Sequence, residues 1–157
     1  RPDIFVLRTL NRIRAFWGFD YLASRQIQAW QNWGIAGLAG LIVLEAGGYL
    51  VVMGLALIEI FRRRKSDWGA GDVTLVALVL AYQLPYAVSF SAGTYHFPVM
   101  GLLMPFAALG GQSMAAQWRE SGRRGLASLP LRVYGALLVF GLVQLEYAYF
   151  AWKYMGS

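Results

Sequence analysis

The chain has 157 residues, 58% of them hydrophobic and 14% charged, with a positive mean hydropathy. A soluble domain carries roughly 25% charged residues, so the composition excludes an ordinary water-soluble fold and leaves room for one membrane domain of about four spans. There is no cysteine, hence no disulfide, thiolate metal site or cysteine nucleophile, and the net charge of +6 stands beside apolar runs, which favours anionic lipid headgroups over nucleic acid as its partner.

Residues 1–33 form an amphipathic juxtamembrane segment ahead of a transmembrane domain at 34–157. Val6, Leu10, Ile13 and Trp17 share one helical face at spacings of four, three and four, with Arg1, Arg8 and Arg12 roughly opposite. Pro2 and Asp3 suit a first helical turn. Such a helix lies in the membrane interface, and Phe16 and Trp17 are expected in the headgroup layer. A shorter polar and aromatic piece at 21–33 leads into the first span. Residue 1 is arginine and no signal peptide opens the chain, so the expectation is a processed N-terminus or a start inside a longer polypeptide.

The first span is expected at 35–61. Its glycines, with Gly40 and Gly47 foremost, offer faces for close helix packing, and Ala36 and Gly40 form a small-xxx-small pair. Glu45 falls near mid-depth, where a carboxylate must be paired, protonated or turned to a cavity. It reads as a polar contact to a neighbouring helix, with a site residue or proton carrier as the other reading. Glu59 lies near the end, within reach of the adjoining arginines.

Arg62, Arg63, Arg64 and Lys65 end this span, and the positive-inside rule places their loop in the cytoplasm. Ser66 to Gly69 form the turn, with Trp68 as an interface anchor, and Asp72 can start the next helix. The second span, 73–90, contains Pro85. The third, 97–116, starts near Pro98 and is expected to be kinked or broken at Pro105. The loop at 117–132 is basic again, with Arg119, Arg123, Arg124 and Arg132. The fourth span, 133–152, carries Gln144 and Glu146 and ends in an aromatic belt. Loops 62–72 and 117–132 are thus expected on the cytoplasmic side and loop 91–97 on the other. The expected fold is all-α and integral to the membrane: about four transmembrane helices plus the N-terminal interfacial helix.

The stretch 91–105, SAGTYHFPVMGLLMP, holds the only histidine. Tyr95-His96-Phe97-Pro98 resembles the second half of an Arg-Tyr-x-x-Pro pattern in a late loop of the C-type, protein-mannosyltransferase-like glycosyltransferases. Thr94 stands where that family usually has arginine, and Gly101 where a proline is common. The run Leu7 to Trp17, basic and closing on Ala-Phe-Trp, is similar to the juxtamembrane helix before that family's last spans. The resemblance implies the C-terminal transmembrane region of an enzyme using a polyprenyl-phosphate sugar, with Tyr95 and His96 contacting the lipid-linked donor. It also implies a missing N-terminal half, because the acidic pair that serves the family as base and metal ligand has no counterpart here: no two acidic residues are adjacent. Catalysis by this chain alone is therefore not expected, and no catalytic or metal-binding residue and no cofactor is assigned. The alternative is a non-catalytic accessory subunit of a larger membrane complex, photosynthetic or respiratory for example, with Glu45 and the glycine faces buried against a partner. A small transporter is a third, weaker reading, since no inverted repeat is visible.

Overall fold

A computed structural model describes residues 1–31, 34–90, 92–122 and 128–155. The expectations that rest on Trp33, Ser91, Arg123 and Arg124 fall outside the described residues, as does the side chain of Tyr154. The elements in order are α1 (Pro2–Trp17), α2 (Leu22–Gln31), α3 (Gly34–Arg62), a 3-10 turn (Lys65–Asp67), α4 (Ala70–Val88), a second 3-10 turn (Gly93–His96), α5 (Phe97–Ser121) and α6 (Leu131–Met155). The fold is all-α, and no strand occurs among the described residues.

Four helices, α3 to α6, are long and apolar enough to cross a membrane. Between 11% and 28% of their most apolar windows is buried inside the chain, so most of that surface needs an apolar solvent. Leu44, Leu131 and Leu145 are more than two-thirds exposed. At 1.5 Å per residue α4 is about 28 Å long, close to a hydrocarbon core of about 30 Å, whereas α3 reaches about 43 Å.

The pair α3 and α5 is the most closely packed. The reason lies in small residues: Ala56 of α3 and Ala107 and Gly110 of α5 are all buried, and a Cβ on Gly110 would stand 2.3 Å from the carbonyl oxygen of Leu55. Only glycine permits that approach of two backbones. Helix α6 packs on α3, α4 packs on α5 and α1, and α4 and α6 make no substantial contact with each other. A wedge is left open between them.

Pro98 opens α5 as expected. Pro105 does not break it: α5 runs uninterrupted from Phe97 to Ser121. Pro85 is likewise carried inside α4.

One end of the bundle is closed by charge. Glu59, 3% exposed, accepts hydrogen bonds from Arg62 and Arg63, each at 2.8 Å. Arg63 also pairs with Asp72 at 2.8 Å and stands over the ring of Phe106. The Glu59 hydrogen bond raises the pKa of Arg63, keeping it charged although burial opposes this. Asp72 accepts the N–H of Gly69 and so caps α4. Arg132 donates to the carbonyls of Arg62 and Arg63, at 3.2 and 3.0 Å, satisfying the C-terminal end of α3. The arginine cluster is thus both a flank and the lock between α3, α4 and α6.

Candidate functional site: a polar clamp on the α1–α2 corner

The other end is organised around residues 16–24, where α1 stops and α2 starts. A helix end exposes carbonyls without partners, and a helix start exposes amides without partners. Gly18, which follows α1, has φ −73 and ψ 146. That extended geometry cannot form the left-handed closure that usually satisfies the last turn. The bundle supplies the missing groups instead.

The carbonyl of Phe16 pairs with Nδ1 of His96 at 2.9 Å. A carbonyl only accepts, so this nitrogen carries the proton. The carbonyl of Trp17 accepts two bonds of 2.7 Å, from the Tyr49 hydroxyl on α3 and from Nε2 of Gln144 on α6. The same Gln144 accepts the N–H of Phe19 through Oε1 at 3.0 Å. Arg14, in the last turn of α1, reaches both carboxylate oxygens of Glu146 through its single Nη1, at 2.7 and 2.8 Å, placing a cation at the negative end of the helix. Gly18 is needed for contact, since a Cβ there would stand 2.5 Å from the ring of Tyr147.

The start of α2 is served by acceptors. Glu45 on α3 accepts the amides of Ala23 and Ser24, at 3.0 and 2.8 Å, and the Ser24 hydroxyl at 2.5 Å. Asp20 accepts the N–H of Leu22 through one oxygen and the Thr94 hydroxyl, at 2.9 Å, through the other. Donors therefore meet the carbonyl end of α1 and carboxylates meet the amide end of α2, which is the arrangement both helix dipoles favour.

His96 is 1% exposed and stacked on Tyr49, ring centres 4.1 Å apart. Phe16 is fully buried beside it, edge-on to Trp17 and within aromatic contact of Tyr82 and Tyr86. Phe16 is therefore a core residue of the bundle and not a headgroup anchor, a correction to the expectation from its position in an interfacial helix. The face offered to solvent or lipid is nearer the start of α1, at Phe5, Val6, Leu7 and Leu10, all more than half exposed. Tyr95 stacks on Tyr86 at 4.7 Å and meets Phe90 edge-on.

The residues singled out from sequence separate into two sets. Glu45 and His96 bind the α1–α2 corner directly, and Tyr95 stacks on Tyr86, which in turn meets Phe16. Gly40 and Gly47 make no such contact, because nothing in the chain lies within 4 Å of a Cβ at either position. Among the described glycines, Gly18 and Gly110 are the ones where a Cβ would clash. Glu45 stands about 26 Å along α3 from Arg62, almost the full length of α4. Asp20, Ser24, Gln144 and Glu146 complete the clamp. Their only sequence signal was polarity next to apolar runs.

Among the described residues no group of three or more His, Asp or Glu side chains could hold a metal ion. The three carboxylates at this end, Asp20, Glu45 and Glu146, are all engaged with helix termini or Arg14. Comparison with protein-family models, with curated proteins and with solved structures finds no match.

Proposed function

We propose that this chain is a membrane-embedded, non-catalytic module of a glycosyltransferase-like protein, whose work is to hold a basic amphipathic helix at the membrane face. Helices α3 to α6 cross the bilayer. Loops 62–72 and 117–132 are cytoplasmic by their arginines, and the α1–α2 corner with loop 91–97 is on the opposite face. The supporting observation is that the two ring side chains of the family-like turn point into the protein: His96 binds the carbonyl of Phe16, and Tyr95 stacks on Tyr86. A sugar transfer needs a carboxylate base near the acceptor and neutralisation of the departing phosphate. Here each nearby carboxylate is occupied, and Thr94, in the place of the family's arginine, is bound to Asp20.

A second reading, an accessory subunit of a larger membrane complex, is favoured by the bare face of α3, where Gly40 and Gly47 lack neighbours and Val43 and Leu44 are exposed. Intact mass and N-terminal sequencing of the polypeptide extracted from its native membrane separate the two. A polypeptide well above 17.5 kDa that carries an upstream acidic pair supports the enzyme module. A polypeptide near 17.5 kDa that co-purifies with other membrane subunits replaces it with the accessory reading.

A further inference from the structure

The wedge between α4 and α6 holds two adjoining, chemically different clefts that share Ile60 and Phe61. The apolar cleft has a volume of about 690 Å3. Met53 and Leu57 of α3 and Leu103 of α5 form the back, Val79 and Val139 stand on the two walls, and α1 roofs it with Ile13. Arg14, at the roof, is the one charged residue lining it, and it is paired with Glu146. The second cleft has a volume of about 640 Å3. It continues one turn along each wall, from Val76 to Val73 on α4 and from Gly135 to Arg132 on α6. Its polar lining is wholly cationic: Arg63, Lys65 and Arg132, beside Trp68.

The charges here do not cancel. Glu59 and Asp72 are taken up by Arg62 and Arg63. Asp67 caps the Arg64 amide at 2.9 Å. Arg132 donates to the carbonyls of Arg62 and Arg63, and among the described residues neither it nor Lys65 is paired with a carboxylate. An apolar slot that opens sideways and ends in two uncompensated cations matches one molecule, a chain with an anionic head.

We propose that the two clefts together bind a membrane glycerophospholipid with an anionic headgroup, one acyl chain lying between α4 and α6 and the phosphate at Lys65 and Arg132. Chain burial alone gives no preference, because the bilayer is as apolar as the cleft. The headgroup cations set the selectivity, each worth about a fivefold change in affinity.

The test uses the purified chain in nanodiscs of phosphatidylcholine doped with phosphatidylglycerol, followed by detergent extraction and mass spectrometry of the lipid that remains bound. The expected result is retention of phosphatidylglycerol over phosphatidylcholine. Lys65→Gln, on an exposed turn, should reduce that preference about fivefold. Gly135→Leu should empty the cleft of lipid without loss of helix content, since nothing lies within 4 Å of a Cβ at this position and the new side chain fills open space. Equal retention of both lipids, unchanged retention in Gly135→Leu, or displacement of the lipid by inorganic phosphate as readily as by phosphatidylglycerol would each overturn the proposal. Lys65→Gln keeps the test decisive if Gly135→Leu fails to fold.

Discussion

Replacing Glu45 by alanine removes the acceptor for the first turn of α2 while leaving the apolar packing of α3 in place. The carboxylate takes two backbone amides and one hydroxyl. A helix N-cap is worth about 0.5–2 kcal/mol, and hydrogen bonds to a charged acceptor about 1.5–3 kcal/mol. The three bonds share one group and their energies do not simply add, so the expected loss is about 2–3 kcal/mol, local to the corner. The readout is amide hydrogen exchange of the purified chain in detergent. Ala23 and Ser24 should exchange about 30- to 150-fold faster, at 1.36 kcal/mol per decade. Amides in the middle of α5 should be unaffected. Glu45→Gln keeps one oxygen acceptor but loses the charge at the helix dipole, and should cost about 1 kcal/mol. Unchanged exchange at Ala23 and Ser24 in Glu45→Ala would refute the clamp as an energetic unit.

The two kinds of glycine should respond in opposite directions. Gly110→Ala forces a Cβ against the backbone of Leu55 and should lower thermal stability by about 1–3 kcal/mol, whereas Gly47→Ala meets open space and should raise it by up to about 1 kcal/mol through helix propensity. Equal effects on the melting temperature in detergent would contradict the assignment of the α3–α5 contact. Glu59→Ala leaves Arg62 and Arg63 without their buried partner. It should cost about 2–3 kcal/mol, less than the roughly 3–5 of a fully buried pair, because Arg63 keeps Asp72. A melting curve identical to wild type would show that the basic end is held by Arg132 and packing alone.

The spans were legible because they depend on composition summed over twenty residues. The turn at residues 66–69, the capping by Asp72, the reach of Glu59 to its arginines and the start of α5 at Pro98 were also legible, since each is a contact within about four residues. The clamp was not. Gln144 and Phe19, or His96 and Phe16, are far apart in the chain, and a polar residue in an apolar run carries no mark of its partner. Gly110 could not be told from Gly40 and Gly47, because close approach belongs to the partner backbone, here Leu55, as much as to the glycine.

The most direct test of the account is sugar transfer by the purified chain supplied with a polyprenyl-phosphate sugar donor and a carbohydrate or lipid acceptor. The account predicts no transfer above the protein-free rate, with wild type and His96→Ala alike in this assay and different only in stability, because the carbonyl of Phe16 loses its partner and Tyr49 its stacked ring. Turnover by the wild-type chain that is lost in His96→Ala would contradict it, and would make the turn at residues 93–96 part of an active site.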